Sequence, residues 1–257
     1  MAAIMYEILV AAAIFLCLVA ASIGSLIVSE RLPAHYRDDD THNVIRLAVN
    51  IFVVATSLML GLLLNSAKNT YESVDRNVHA FATDLILLDR NLRHYGPEAS
   101  AVRQQLAAYV RQAVAGTWPV KGSPTLDDRT AELLLDDVGN ALMVIRPSDP
   151  MRFELWRETE NSLQNVVKRR WVLIEESEGT IPVALLVMLV AWLVLIFASF
   201  GYRAPHNAAV AATLVVAAFL IAAAIYLILD MDVPFSGPIQ ISPAPLLRAE
   251  EQMRRSN

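Results

Sequence analysis

Apolar residues fall along this chain in four long blocks separated by a polar middle: Ile8 to Ser29, Val44 to Ser66, Pro182 to Phe200 and Ala208 to Leu229. Each holds the roughly 20 apolar residues that a hydrocarbon core about 30 Å thick demands of a helix, so the pattern predicts four membrane spans. The second block changes character without breaking. From Leu60 the apolar positions continue at Leu64, Ala67, Tyr71, Val74, Val78, Phe81, Leu85, Leu88, Leu92 and Tyr95, in alternating steps of four and three. That is a heptad seam. Lys68, Glu72, Arg76, Asn77, Asp84, Asp89 and Arg90 fill the other faces, so the lower half is expected to stand in water with one stripe packed. With no proline or glycine pair to stop it, one helix is predicted from about Asn43 to Tyr95. At 1.5 Å per residue it would be on the order of 75 Å long.

Gly96-Pro97 ends that helix and starts another. Val102, Leu106, Tyr109 and Ala113 give an amphipathic helix over 98–115, followed by a turn-rich connection, Gly116 to Pro124. Thr125 to Asp128 resembles a helix start, and Leu134, Val138, Leu142 and Ile145 continue one face until Pro147. Asp149-Pro150 caps the next helix. Its seam reads Phe153, Trp156, Glu160, Leu163, Val167, Arg170 or Trp171, and Ile174. The stretches Ala67 to Tyr95 and Pro150 to Ser177 match in length and each adjoins a span, so they are expected to lie antiparallel, with the two shorter helices closing the bundle. A tight turn at 201–205 joins spans three and four. The prolines between Pro234 and Pro245 rule out a continuous helix, so an extended strap is expected there, with a last short helix from about Pro245. The resulting divisions are 1–66 (spans one and two), 67–179 (soluble helices), 180–230 (spans three and four) and 231–257 (strap and tail).

Composition agrees with this plan: 55% of residues are hydrophobic and only 18% charged, which suits a polytopic membrane protein. The first block lacks a basic leading region and more spans follow, so it is expected to be a retained helix. Cys17 is the one cysteine, which excludes a disulfide framework or a zinc site within one chain. The net charge of −5 and the lack of a Lys/Arg run interleaved with aromatics give no reason to expect nucleic acid. There is no Walker loop, His-Glu-x-x-His or Gly-x-Ser-x-Gly, and His35, His42, His79, His94 and His206 are scattered, so neither enzymatic activity nor a cofactor is expected. Lys68, Arg76, Lys168, Arg169, Arg170 and Arg248 outnumber Arg31, Arg37, Arg46 and Arg203 near the spans. By the positive-inside bias the large polar region and both termini are expected to be cytoplasmic.

Several features together resemble the bestrophin-like family of bacterial membrane proteins, which is distantly similar to the bestrophin chloride channels. They are Leu88, Arg93, Tyr95-Gly96-Pro97, Tyr109 and Trp118-Pro119 in the polar region, Ile181-Pro182 opening span three, and the run from Leu229 through Asp230, Asp232, Val233-Pro234-Phe235-Ser236-Gly237-Pro238 to Leu246. The last run is the most specific, and the resemblance covers nearly the whole chain. The Trp-Pro element follows Gly116-Thr117 here, where the family has an acidic residue, so no role for that acid carries over. No residue matches the bestrophin neck aromatics or calcium clasp. What the resemblance implies is an all-α architecture of four transmembrane helices, with a cytoplasmic helical bundle formed by extensions of spans two and three. It further implies a multi-pass protein of the bacterial inner membrane that forms a homo-oligomer, a pentamer favoured and a tetramer allowed, conducting small inorganic ions along an axis lined by the second span.

The second span offers its own candidates for that axis. Arg46, Asn50, Ser57, Gly61, Asn65 and Lys68 fall within about a third of the helix circumference at ~100° per residue. Polar groups are costly in hydrocarbon, so this face is expected to meet protein or water. Val53, Val54, Leu60 and Leu64 lie near it and could form an apolar constriction that gates by dewetting. The plainer alternative is that Asn50 and Ser57 join helices and Arg46 snorkels. Asp38, Asp39 and Asp40 would place negative charge at an outer mouth, or merely be solvated. Asp230 and Asp232 could hold a cation with Ser236 or strap carbonyls, although capping, or pairing with Lys68 or the Lys168-Arg169-Arg170 cluster, is the commoner role. That cluster also suits anionic headgroups. Small residues at Ala20 and Gly24, at Ala21 and Ser25, and at Ser29 predict close helix contact. A non-conducting scaffold or sensor whose soluble bundle binds a protein partner is the reading from another class.

Overall fold

The computed structural model describes residues 2–31, 39–118, 128–177, 179, 181–202 and 207–255. Among these residues eight α-helices follow in order: α1 (Ala2–Arg31), α2 (Asp39–Tyr95), α3 (Ser100–Thr117), α4 (Asp128–Val144), α5 (Pro150–Ser177), α6 (Val183–Gly201), α7 (Ala208–Asp232) and α8 (Ala244–Arg255). Among the described residues there is no strand. The fold is all-α, and α1, α2, α6 and α7 are long and apolar enough to cross a membrane. The chain forms two compact units: residues 1–71 with 179–240, and residues 72–178 with 241–257. The long α2 contributes to both and is a single helix of 57 residues, as its unbroken three-four alternation predicts.

In the first unit α1 packs on α6 and α7. Ile14, Leu18, Leu63, Ala67, Leu189, Leu193, Phe197, Ala218, Ala222, Ile225 and Ile228 form its buried core. Lipid tails are as apolar as leucine, so burial against lipid supplies little; close packing of backbones and side chains has to hold such helices together. One close approach is at Gly201, where a Cβ would run into the Ser22 carbonyl oxygen and lie 3.1 Å from Leu26 N. Of the small-residue stripe of α1, Ala21 packs against this core. A Cβ at Gly24 would meet nothing within 4 Å, and it is Ser22, off that stripe, that is fully buried. The alanines of α7 behave as expected, with Ala218 and Ala222 buried. Asn207 caps α7, its Oδ1 accepting from Val210 N at 2.8 Å. Of the expected turn at 201–205, residues 203–205 lie outside the described residues.

In the second unit the two long helices run antiparallel, because their partners count in opposite directions. Ser73 Oγ donates to Glu176 at 3.1 Å and Asn77 Nδ2 to the same carboxylate at 2.6 Å. Arg169 Nε donates to Asp84 at 2.7 Å, Asn91 Nδ2 to Ser162 Oγ at 2.9 Å, and the Arg152 guanidinium lies 5.7 Å from the Tyr95 ring centre. The seam of α2 is buried here at Val74, Val78, Phe81, Leu85, Leu88, Leu92 and Tyr95. That of α5 is buried at Leu163 and at Arg170, one of the two alternatives at its position, but at Thr159 and Val166 rather than Glu160 and Val167, while Phe153 and Trp171 are half-exposed. Its buried stripe is partly polar, so apolar spacing alone misplaces it by one residue. Arg170 keeps its guanidinium over the Trp171 ring at 5.8 Å.

The helix expected from 98 instead opens with a 3-10 turn, Pro97–Ala99, after Gly96 at φ 112°. Helix α3 then packs on α4 and α8, burying Val102, Leu106, Tyr109 and Val110. Helix α4 buries Ala131, Leu135, Val138 and Leu142, so Leu134 is one position off the buried line. Trp156 Nε1 donates to the Leu142 carbonyl at 3.1 Å, and Asp149 Oδ1 accepts from Arg152 N at 2.9 Å as the cap of α5. Asp89 and Arg103 form an ion pair at 2.9 Å with both side chains largely buried. Residues 119–127, most of the predicted turn-rich connection, lie outside the described residues.

Candidate functional site

The polar positions of the second span belong to one helix, so their placement follows from its rotation. With Arg46 at 0° and about 100° per residue, Phe52, Thr56, Leu63 and Ala67 fall between roughly 240° and 300°. These face the first unit's own core: Leu63 and Ala67 belong to it, and the Phe52 ring lies 6.4 Å from that of Trp192 on α6. Thr56 is buried on the same side. Arg46, Asn50, Ser57, Gly61, Asn65 and Lys68 fall between roughly 0° and 100°, and all are exposed in the single chain. Leu47, Ile51, Leu58 and Leu62 continue the exposed surface over roughly 100° to 160°, at 66%, 70%, 67% and 71% exposure. The helix therefore has three sectors: one packed inside the unit, one outward and apolar, one outward and polar.

The predicted apolar constriction divides. Val53, Val54 and Leu64 stand on the outward polar sector, Leu64 half-exposed, whereas Leu60 sits at its edge and packs against the core. The buried line through this half of α2 is Thr56, Leu63 and Ala67, not Leu60 and Leu64 as the seam suggested. Inside a membrane the lipid face is as apolar as the core, so spacing of leucines has no contrast to read. The Ser57 hydroxyl donates to the Val53 carbonyl at 2.9 Å, so its proton is satisfied within the helix. Asp39 and Asp40 open α2. Asp38 lies outside the described residues.

Around the strap the structure brings together the residues singled out after span four. Asp230 Oδ2 accepts from Ile239 N at 2.9 Å, and Asp232 Oδ2 accepts from Ile181 N at 3.1 Å. Both carboxylates thus fix backbone N–H groups that no helix satisfies. Gly237, at φ 85°, presses its Cα side against the Asp230 carboxylate, and a Cβ at Gly179 would stand 2.7 Å from Asp232 Oδ2. Tyr71 OH donates to the Gln240 carbonyl at 3.3 Å. In the second unit Trp118 Nε1 donates to the Ile241 carbonyl at 2.7 Å, which gives the tryptophan of the Trp-Pro element a structural task; Pro119 lies outside the described residues. Among the described residues no group of three or more His, Cys, Asp or Glu is placed to hold a metal ion. The basic cluster is not a free patch, since Arg169 is engaged by Asp84 and Asn77 and Arg170 is buried. One residue escaped the sequence reading altogether. Glu7 of α1 is buried, and the available signal was a lone acid near the start of an apolar block.

The model of the Bestrophin-like domain family matches residues 16–246. Among solved structures, two crystal structures of point variants of a bacterial bestrophin homolog from Klebsiella pneumoniae are similar, with TM-scores of 0.63 and 0.62 at 14% and 15% identity. They cover 94% and 95% of this chain and 97% and 98% of their own. A further crystal structure, described as a membrane protein, has a TM-score of 0.63 at 14% identity over 94% of this chain and 96% of its own. No curated protein matches the chain. At these identities the likeness to solved structures is one of fold.

Proposed function

The chain belongs to the bestrophin-like family, and on that footing we propose that it assembles as a homo-oligomeric ion channel whose pore is lined by the outward polar sector of α2. The observation that carries this is the division of α2. Its intramolecular face is already occupied by Phe52, Thr56, Leu63 and Ala67, yet Asn50, Ser57, Gly61 and Asn65 still face outward across the span. Polar side chains within the hydrocarbon are costly and are normally turned to protein or to a water-filled cavity. A ring of subunits satisfies this by turning each polar sector to a shared axis, while Leu47, Ile51, Leu58 and Leu62 meet a neighbour or lipid. A pentamer is favoured and a tetramer is compatible. Leu64, with Val53 and Val54, forms the apolar part of the lining, and Arg46 and Lys68 stand at its two ends. The location is the bacterial inner membrane, with both termini and the second unit cytoplasmic, and the permeating species are small inorganic ions.

The test is flux through purified protein in liposomes, with chloride, sodium and potassium each supplied in turn. Replacing Leu64 by Ser makes the apolar ring easier to wet and is expected to raise conductance. Phe52→Ser, on the face packed against Trp192, is expected not to. Low-resolution images of the particles should show rings with α2 at the axis. No flux with any of the three ions, together with no effect of Leu64→Ser, would remove the channel and favour a non-conducting scaffold. The observation on the side of the scaffold is the apolar exposure of Met143, Val144, Met151 and Phe153 in the second unit, a surface suited to a protein partner.

A further inference from the structure

In the second unit a groove of about 360 Å³ runs between α2 and α5, within the size range of small-molecule sites. One wall carries Arg90, Asn91 and His94 of α2, and the other carries Glu158 and Ser162 of α5. Leu87 and Leu155 supply its apolar part. On each helix these residues stand three or four apart and so share a face. Asn91 Nδ2 donates to Ser162 Oγ at 2.9 Å, and that hydroxyl donates to the Glu158 carbonyl at 2.9 Å. The two helices are therefore tied together at the groove, and the Ser162 hydroxyl is satisfied by the fold itself.

The ionisable side chains of the walls are placed differently. Elsewhere on these two helices unlike charges find partners: Arg169 pairs with Asp84, Arg152 with Glu98 and Arg157 with Glu154. In the groove, Arg90 and His94 on one wall and Glu158 on the other make no side-chain hydrogen bond or ion pair among the described residues. The cation and the anion line one space without meeting across it. A lone anion would suit Arg90 but face the Glu158 carboxylate, and a lone cation would suit Glu158 but face the guanidinium. A molecule carrying both signs meets a complement on each wall. A guanidinium takes a carboxylate through two parallel N–H bonds, and an ammonium donates to a carboxylate. Leu87 is 44% exposed, so an apolar group laid over it and Leu155 would also be sheltered from water.

We propose that this groove binds a free α-amino acid with an apolar side chain, its carboxylate on Arg90 and His94, its ammonium on Glu158 and its side chain over Leu87 and Leu155. The site lies wholly within the second unit and does not depend on the channel reading. A bound amino acid bridges α2 and α5 beside the Asn91–Ser162 bond and acts as a second tie between the two long helices.

Equilibrium dialysis of the purified full-length protein against radiolabelled leucine and methionine, up to millimolar concentrations, tests this. Saturable binding of at least one of them is expected, at one molecule per chain. Isocaproate, which is leucine without its ammonium, and isoamylamine, which is leucine without its carboxylate, should compete about ten- to hundredfold less well, the loss of one charge-assisted contact. Arg90→Gln and Glu158→Gln should each weaken binding by a similar factor. Arg93→Gln, at an exposed position outside the groove, should not. If a groove variant fails to fold, competition by the two half-molecules on the parent protein still decides. No saturable binding of either amino acid overturns the proposal, as does binding unchanged in both groove variants. Equal competition by isocaproate overturns it too and makes the groove an anion site. Dissociation of an assembled protein by either groove variant, with no amino acid bound by the parent, gives the groove to a second copy of the chain.

Discussion

Replacing Gly237 by alanine should disable the strap, and the structure allows the cost to be worked out. Gly237 sits at φ 85°, a conformation in which a Cβ is strained by roughly 1–2 kcal/mol. The added Cβ would also overlap Asp230 Oδ1. Because the carboxylate is buried and its other oxygen holds Ile239 N–H, moving it breaks a charge-assisted hydrogen bond of about 1.5–3 kcal/mol. The sum is about 2.5–5 kcal/mol, which at about 2–4 °C per kcal/mol for a chain of this size lowers the melting temperature by roughly 5–20 °C. Scanning fluorimetry in one fixed detergent measures it. Gly139→Ala is the control, for its Cβ would stand 3.8 Å from Leu163 in ordinary contact within α4, and alanine there should stabilise by about 0.5–1 kcal/mol. If Gly237→Ala melts within about 2 °C of the parent, or if both variants fall equally, the strap is not held by this turn.

Gly201→Ala pushes a Cβ into the Ser22 carbonyl on α1 and should destabilise the first unit by about 1–3 kcal/mol, as overpacking does; Gly24→Ala, opening onto empty space within α1, should keep or raise the melting temperature, alanine being favoured over glycine inside a helix by about 0.5–1 kcal/mol, and a loss equal to that of Gly201→Ala would contradict the packing described for α1. The cytoplasmic placement of the second unit is checked in a Cys17→Ala background carrying Asp136→Cys at an exposed position of α4. An impermeant thiol reagent should leave intact cells unlabelled and label them once lysed, and rapid labelling of intact cells would reverse the orientation.

How far each feature was legible depended on whether its surroundings supplied contrast. In the second unit water lies on one side and protein on the other, so the stripe from Val74 to Tyr95 could be read directly and is buried as spaced. Helix α5 was harder because its buried line is partly polar: it runs through Thr159 and Val166, each one residue before the expected Glu160 and Val167, and through Arg170, which spacing left open against Trp171. In the first unit leucine spacing fails outright: Leu63 is buried and Leu64 half-exposed, though nothing in their chemistry separates them. What remains readable in a span is the polar minority, since lipid tolerates a leucine anywhere but not an asparagine. That minority includes the outward sector of α2, Asp230 and Asp232 at the strap, and Glu7. Each such group must be assigned a neighbour, and for Asp232 the structure supplies one in Ile181 N–H. Asn50 and Asn65 are exposed on the outward sector, so their surroundings are lipid, water or another protein chain. Lipid is disfavoured by their chemistry, and an axis shared between subunits is one way for water to reach them. The polar sector of α2 is therefore an argument about assembly before it is one about conduction, and an isolated monomer that remained stable in a bilayer would count against both.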